Sequence, residues 1–269
     1  MTADAKVTTA ALRARKGTAE RIAVLTAYDV VFARLADEAG IDVVLVGDSL
    51  GMVVQGERST LAVTLDEMVY HSRIVSRGVR RAHLVADLPF MSYQVSVEDG
   101  MRAAGRLLKE GRAEAVKLEG GNEVAELVGR LVRAGIPVMG HVGMTPQSMH
   151  QLGGFKVQGR TEAQRAKILA DARAVAEAGA YAVVIEAVPH TLAAEITAAV
   201  AVPTIGIGAG VDCDGQVMVM HDLLGLEPAW KPRFVRRYAE MGKAAGEAFA
   251  AYAADVRAGR FPAPQETYD

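Results

Sequence analysis

The feature that constrains the fold most is a repeated order of elements: an amphipathic stretch, a glycine, then a short apolar run rich in β-branched residues. Four segments have this order, at residues 35–48, 107–120, 131–143 and 174–188. The apolar runs at 43–46 and 183–185 do not alternate with polar residues, as expected of parallel strands that are buried on both faces. The pattern therefore predicts helices that lead into the strands of a parallel α/β sheet.

Glycine accounts for 27 of the 269 residues, above the usual share of about 7%, and part of this surplus has a place in the pattern. Gly40, Gly111, Gly135 and Gly179 each follow an amphipathic stretch, where a left-handed residue commonly ends a helix. The third segment shows the spacing of one buried helical face most clearly, in Val124, Leu127, Val128, Leu131 and Val132.

Four further apolar runs, at 22–25, 84–86, 204–207 and 217–220, bring the predicted strands to eight. Eight strand–helix units in roughly 250 residues are typical of a TIM (β/α)8 barrel. A doubly wound sheet is the alternative. We expect one barrel domain over residues 1–269, with a polar N-terminal arm at 1–17 and a C-terminal tail at 258–269.

The charge and cysteine content exclude several classes of protein. The 30 Lys and Arg against 32 Asp and Glu give a net charge of -2, without the basic excess that binding to nucleic acid or to an anionic membrane requires. No apolar run approaches the roughly 20 residues of a membrane-spanning helix. The single cysteine, Cys213, excludes an internal disulfide and a thiolate metal cage. We therefore expect a soluble, cytoplasmic protein.

Four acids stand at or just after predicted strand ends: Asp48, Asp87, Glu119 and Glu186. The active sites of TIM barrels lie at this end of the strands. A carboxylate that directly follows a buried run is costly to desolvate unless a cation or hydrogen-bond donors compensate it. Carboxylates with water are the ligands of a hard cation, so the set favours Mg²⁺ over zinc. Each acid taken singly could instead cap the helix that follows.

Three strand-end residues suggest more specific roles, each with a structural alternative. Lys117 precedes Glu119 by two positions, so both point to the same side of a regular strand; Lys117 could bind a substrate carboxylate or form an ordinary salt bridge. Glu186 follows the apolar run AYAVVI, a setting that favours a general base, although a capping role is open. His141 could donate to a carboxylate or an oxyanion, or could be a packing residue.

The glycine-rich segment at 204–210, TIGIGAG, has the composition of a phosphate-binding loop at the usual position in a barrel. Glycines also serve tight turns and close backbone contacts. This segment alone is therefore weak evidence for a phosphorylated substrate.

Seven motifs resemble those of one enzyme family and follow one another in the same order as in that family. They are VGDSLGMVVQG at 46–56, ADLPFMSY at 86–93, VKLEGG at 116–121, GHVGMTPQS at 140–148, GGFKVQGR at 153–160, IGIGAG at 205–210 and DGQVMVMHDLLG at 214–225. On these motifs the chain resembles ketopantoate hydroxymethyltransferase, also called 3-methyl-2-oxobutanoate hydroxymethyltransferase. The motifs extend over about two-thirds of the chain.

The resemblance implies a Mg²⁺-dependent TIM barrel of the phosphoenolpyruvate/pyruvate type, assembled as a homodecamer. The implied reaction transfers a hydroxymethyl group from 5,10-methylenetetrahydrofolate to 3-methyl-2-oxobutanoate, giving 2-dehydropantoate for pantothenate and coenzyme A biosynthesis. By motif, the metal ligands are Asp48 and Asp87, with Glu119 supporting the ion directly or through water. Glu186 is the implied catalytic acid/base. The implied keto-acid contacts are Asp48, Ser49, Asp87, Lys117 and His141.

Three other functions stay open on the sequence. One is a Mg²⁺-dependent carbon–carbon lyase or mutase of the same barrel superfamily, which would have a similar metal and keto-acid site. A second is an enzyme that binds a phosphorylated sugar through residues 206–210. The third is a barrel that serves as a non-catalytic subunit or ligand sensor.

Overall fold

The computed structural model describes residues 5–227 and 232–268, and within them eight parallel strands close into a barrel in chain order. The ring is closed by pairing of the first strand with the last, through Ile22 with Gly215 and Val24 with Val217. The strands are β1 Ile22–Thr26, β2 Val43–Val46, β3 His83–Asp87, β4 Ala115–Glu119, β5 Val138–Gly143, β6 Ala182–Glu186, β7 Thr204–Ile207 and β8 Gly215–Met218. The TIM-barrel prediction is confirmed, and the closed ring excludes the doubly wound sheet.

The last strand lies earlier than the sequence predicts. The apolar run VMVM predicts a strand at 217–220, but β8 begins at Gly215 and ends at Met218. The register with β1 and β7 places Gly215 in the ladder, where a Cβ atom would lie 2.4 Å from the carbonyl oxygen of Ile22. Met220 instead begins a helix. Hydrophobicity alone therefore misplaced this strand, because its first two residues are Gly and Gln.

The chain divides into two compact units, Met1–Val219 and Met220–Asp269. The first contains the barrel with helices α1 to α9, and the second contains α10 and α11. The prediction of a single domain stays a prediction. The helices are α1 Thr9–Arg13, α2 Val30–Glu38, α3 Leu50–Val53, α4 Leu65–Val75, α5 Val97–Lys109, α6 Ala125–Arg133, α7 Met149–Leu152, α8 Glu162–Glu177, α9 His190–Ala199, α10 Met220–Leu224 and α11 Met241–Arg257. No helix in the described ranges is long and apolar enough to cross a membrane.

Local sequence explains where the barrel helices begin and end. Thr64 caps α4 in a reciprocal capping box with Glu67, which satisfies backbone donors at the helix start. After the end of α5, in the second repeated segment, the left-handed residue is Arg112, with φ of 61°, rather than the predicted Gly111. Gly111 is needed for space, since a Cβ atom there would lie 2.6 Å from the Leu107 carbonyl oxygen. The other three predicted positions are left-handed: Gly40, Gly135 and Gly179.

The N-terminal arm packs against the strand starts of the barrel. Within it, Val7 and Leu12 are both 1% exposed and belong to the same apolar cluster as Ile22 and Val43 near the beginnings of β1 and β2. Leu12 is the one buried residue of α1, a helix that Thr8 caps. The arm is therefore polar in composition but contributes two core residues.

Candidate active site

The predicted site residues come together at the carboxyl ends of neighbouring strands. The sheet register places Asp87 beside Lys117, and Glu119 beside His141. Glu186 ends β6 and pairs with Gly143 of β5. Asp48 and Ser49 come just after β2, from which Gly47 separates them. The structure thus groups all seven predicted residues at one end of the barrel.

Asp48, Asp87 and Lys117 form a buried cluster of charges. The backbone N–H of Asp48 donates to Asp87 Oδ2 at 3.1 Å, and Lys117 Nζ lies 2.8 Å from Asp87 Oδ1. Burial raises the pKa of Asp48 well above its ordinary value, and the nearby charges of Asp87 and Glu119 raise it further. Burial also raises the pKa of Asp87, although Lys117 opposes that shift. The cluster therefore favours any cation that can enter it.

Lys117 stays cationic in spite of its burial. Burial by itself would lower the pKa of Lys117, but the carboxylates of Asp87, Glu119 and Asp48 raise it above the ordinary value. A buried ammonium group that also lies 3.3 Å from His141 Nδ1 can bind a substrate carboxylate at this point.

His141 joins the two glutamates of the site. Its Nε2 lies 3.1 Å from Glu186 Oε2, and its Nδ1 lies 3.6 Å from Glu119 Oε1. Burial and Lys117 would lower the pKa of His141, but the nearby carboxylates of Glu119 and Glu186 raise it to about 9. The two carboxylates therefore favour the protonated form of His141, and its charged neighbours show that it is more than a packing residue.

Glu186 combines a fixed backbone with a partly open side chain. Its carbonyl accepts from Met144 N–H at 2.9 Å, and the N–H of the next residue, Ala187, donates to Ile207 at 2.9 Å. The carboxyl side chain keeps 16% of its surface exposed. A carboxylate held in place at the barrel end, and still reachable from it, is suited to take a proton from a small substrate.

Three polar residues complete the site, and the strand-end argument assigns them no role. Tyr28, after β1, has its hydroxyl 2.9 Å from Ser49 Oγ. Tyr93 accepts from the Glu119 N–H at 3.1 Å through its hydroxyl. Gln147 donates from Nε2 to Asp48 Oδ2 at 2.8 Å. Tyr93 and Gln147 lie within the quoted motifs ADLPFMSY and GHVGMTPQS, which is the only signal that the sequence contains for them.

The glycines of the segment 204–210 have a packing explanation. A Cβ atom on Gly206 would lie 3.0 Å from Cys213 Sγ and from Gln216 Nε2, and one on Gly210 would lie 2.6 Å from His190 Cβ. Gln216 Nε2 also donates to the Gly210 carbonyl at 2.8 Å. Close contacts within the protein therefore account for Gly206 and Gly210, and a left-handed φ of 61° accounts for Gly208, so this composition is explained without a phosphate.

The carboxylates do not form a ready-made metal cage. In residues 5–227 and 232–268 no group of three or more His, Cys, Asp and Glu side chains is placed to enclose a metal ion. Glu119 Oε2 accepts from the Gln147 N–H at 2.9 Å. Mg²⁺ is usually held by one or two carboxylates and keeps several waters. Asp48 and Asp87 fit that pattern, and both roles expected for Glu119, direct or through water, stay open.

Solved structures with the same architecture define the class of fold. Phosphoenolpyruvate phosphomutase from Streptomyces platensis subsp. rosaceus is similar with a TM-score of 0.62 at 17% identity, over 97% of this chain and 91% of that one. A 2,3-dimethylmalate lyase of the PEP mutase/isocitrate lyase superfamily has a TM-score of 0.59 at 17% identity, over 96% and 92%. The chain therefore has a TIM-barrel fold like that of these two enzymes.

Sequence comparison then gives the family. The profile of ketopantoate hydroxymethyltransferase matches residues 6–264. The 3-methyl-2-oxobutanoate hydroxymethyltransferase of Syntrophotalea carbinolica is 56% identical over 253 residues, which are 94% of this chain and 95% of that protein. The chain belongs to the ketopantoate hydroxymethyltransferase family, a family of transferases, and the resemblance inferred from the seven motifs is confirmed.

Proposed function

We propose that this enzyme transfers a hydroxymethyl group from 5,10-methylenetetrahydrofolate to 3-methyl-2-oxobutanoate, giving 2-dehydropantoate in pantothenate and coenzyme A biosynthesis. Family membership supports the reaction class. The observation that carries the proposal is the line of contacts from Glu186 through His141 to Glu119, beside the buried cluster of Asp48, Asp87 and Lys117. This arrangement joins a candidate base to a binding site for an anionic keto acid.

The charge balance of the site supports Mg²⁺ as the cofactor. Four carboxylates, on Asp48, Asp87, Glu119 and Glu186, face two cationic groups, Lys117 and His141. Asp48 and Asp87 would hold the ion, and Glu119 would support it directly or through water. Mg²⁺, when bound, supplies Lewis-acid polarisation of the keto acid's carbonyl and carboxylate oxygens.

The residues of the chain would divide the remaining work. Lys117 and Ser49 orient the keto acid, and Tyr28 fixes the Ser49 hydroxyl. Glu186 removes the single proton at C3, and the His141 ring, with Nε2 3.1 Å from Glu186 Oε2, lies close enough to pair with the carboxylate by charge. The resulting carbanion forms a bond to the one-carbon unit while the bonds from that carbon to the folate nitrogens break. Water supplies the hydroxyl oxygen, and the two folate nitrogens take up one proton from that water and the C3 proton that Glu186 removed, so that tetrahydrofolate leaves.

The rival functions are less well supported. A lyase or mutase of the same superfamily would share the barrel, but the family profile over residues 6–264 favours the transferase. The packing contacts of Gly206 and Gly210 remove the main sign of a phosphorylated sugar substrate. A non-catalytic barrel would not need a buried cluster of raised-pKa acids, because such a cluster opposes folding.

The quaternary structure and compartment are part of the proposal. We infer a homodecamer in the cytoplasm, acting on small molecules without nucleic acid or membrane partners. Helix α11 supports assembly from copies of the chain, since it contains no buried residue and exposes Phe249, Tyr252 and Val256. Apolar side chains of this size on one helix are typical of a surface that another subunit covers.

The decisive experiment follows exchange of the C3 proton of 3-methyl-2-oxobutanoate for deuterium, with Mg²⁺ and without folate. Glu186→Gln should slow exchange by about 10²- to 10⁴-fold, the usual contribution of a general base. Glu177→Gln, a change of an exposed glutamate at the end of α8, should leave the rate unchanged. Exchange at the wild-type rate in Glu186→Gln would reject the base, and exchange that persists in chelator would reject the metal.

A further inference from the structure

Gln147 is a buried glutamine whose side chain is fully hydrogen bonded. It lies in the turn Pro146–Ser148 after β5 and is 6% exposed. Its Nε2 donates to Asp48 Oδ2 at 2.8 Å and to the Leu88 carbonyl at 2.9 Å. Its Oε1 accepts from the Tyr93 hydroxyl at 2.8 Å and from Gln94 Nε2 at 3.0 Å. All of the two donors and two acceptor positions of an amide are in use.

These partners fix the direction in which the amide points. If the amide were turned over, its oxygen would face the Asp48 carboxylate and the Leu88 carbonyl, which are both acceptors. Its NH₂ group would then face Gln94 Nε2, a donor. The Tyr93 hydroxyl accepts from the Glu119 N–H at 3.1 Å, and its one proton has two acceptors in reach, Gln147 Oε1 at 2.8 Å and the Glu119 carbonyl at 3.0 Å. The fixed acceptors on the other side, Asp48 and the Leu88 carbonyl, therefore decide the direction of the amide. The donor side of Gln147 is therefore directed at Asp48 by its surroundings.

Gln147 also contacts a second acid of the site. Its backbone N–H donates to Glu119 Oε2 at 2.9 Å. One residue in the loop after β5 thus orients the carboxylate that follows β2 and the one that ends β4. Asp48 and Gln147 are 99 positions apart in the chain, so this contact exists only because the barrel brings the strand ends together.

The two aspartates of the cluster have different partners. Asp87 is paired with the ammonium group of Lys117 at 2.8 Å, which neutralises its charge. Asp48 Oδ2 is held by a neutral amide, which restricts the carboxylate without compensating its charge. A neutral donor is the kind of partner that orients a metal ligand and leaves its full charge for the ion.

We propose that Gln147 is a positioning residue that holds the Asp48 carboxylate in the orientation needed to bind the divalent cation. This inference rests on the proposed function, because it assumes that Asp48 binds metal. The alternative is that Gln147 only satisfies buried polar groups of the fold. A structural residue of that kind would affect the stability of the protein and not its affinity for a metal ion.

The test is a calorimetric titration of the purified full-length enzyme with Mn²⁺, without substrate, together with the melting temperature in chelator. Gln147→Met removes the donor, keeps the size of the side chain and retains the backbone N–H to Glu119. We expect it to weaken Mn²⁺ binding by about 10- to 100-fold, as changes in partners of metal ligands usually do. Gln147→Asn keeps an amide that is one methylene shorter and should weaken binding by a smaller factor.

Gln94→Ala is the matched control. It removes an exposed donor to the same Gln147 Oε1 but leaves the Tyr93 contact and both Nε2 bonds in place. Its Mn²⁺ affinity should stay within about twofold of wild type, since Asp48 keeps its donor. Equal weakening in Gln94→Ala and Gln147→Met would overturn the assignment.

The remaining outcomes separate this inference from the function on which it rests. Wild-type Mn²⁺ affinity in Gln147→Met, with only a lower melting temperature, overturns the role of Gln147 and leaves the metal in place. If Gln147→Met does not fold, Gln147→Asn decides in the same way. Failure of the wild-type enzyme to bind Mn²⁺ would reject the metal of the proposed function and the positioning role with it.

Discussion

Both ends of the barrel bury acidic side chains, but the partners of these acids differ. At the strand starts, the buried Asp214 carboxylate accepts from the N–H groups of Gly17 and Thr204 at 2.8 Å, and Lys16 Nζ lies 3.0 Å away. Burial alone would raise the pKa of Asp214, but these donors together lower it. At the strand ends, burial and neighbouring acids raise the pKa of Asp48.

This difference separates acids that hold the fold from acids that are available to a ligand. The compensated carboxylate of Asp214 connects the N-terminal arm to β7 through Gly17, Lys16 and Thr204. The crowded carboxylates at the other end oppose folding on their own and are favoured only with an added cation. Burial of an acid is thus insufficient to identify a site, and the balance of its partners is the better guide.

The largest expected effect is on catalysis at the strand ends. Asp48→Asn should reduce hydroxymethyl transfer by about 10³-fold, since loss of a metal ligand removes several kcal/mol of charge stabilisation. The same change should raise the free energy of unfolding in chelator, because a neutral side chain replaces a buried carboxylate that is repelled by Asp87 and Glu119. Urea unfolding and a turnover assay measure the two effects. Loss of stability in Asp48→Asn would show that this acid also holds the fold.

The next effect is on stability at the strand starts. Asp214→Asn should lower the free energy of unfolding by about 2–3 kcal/mol, because Lys16 loses its charged partner and a buried N–H loses an acceptor. Activity per folded molecule should not change. Asp212→Asn, an exposed acid two positions away, is the control and should stay within about 0.5 kcal/mol of wild type. Equal stability of Asp214→Asn and Asp212→Asn would remove the contrast between the two ends.

The sequence predicts the barrel and the members of the site because both depend on local order. The apolar runs and glycines indicate where the strands lie along the chain. Once these strands are parallel, the acids that follow them must lie at the same end of the barrel. The contacts of Gln147 depend on the register of distant strands, 99 positions from Asp48 and 28 from Glu119. No local pattern contains that information.

The dependence on tertiary contacts also explains the smaller differences between the predicted and the observed structure. Leu12 is buried because a barrel has an apolar end to cover, although the arm around it is polar. The left-handed position at Arg112 and the tight contact at Gly111 reflect the path of one loop against α5. Tertiary contacts determine which residue is buried, left-handed or closely packed. The helix–glycine–strand pattern only restricts the part of the chain in which such a residue lies.

The smallest expected effect is a shift in titration, and it gives the two ends opposite responses to pH. His141 has its pKa raised from 6.5 to about 9. Its contribution to stability is therefore complete below about pH 6.5 and is lost as the pH rises through about 9. The lowered pKa of Asp214 has the opposite sign, so its contribution is present above the ordinary value of 3.8 and is lost as the pH falls further.

Nuclear magnetic resonance of histidine-labelled enzyme measures this shift directly, with the other histidines as internal reference. We expect a midpoint of about 9 for His141 and a lower one in Glu186→Gln, because the carboxylate 3.1 Å from Nε2 is then replaced by a neutral amide. Glu177→Gln should leave the midpoint unchanged, since that acid is exposed at the end of α8. An unchanged midpoint in Glu186→Gln would show that Glu186 does not stabilise the protonated His141 ring, and would contradict the charge pair between these two residues.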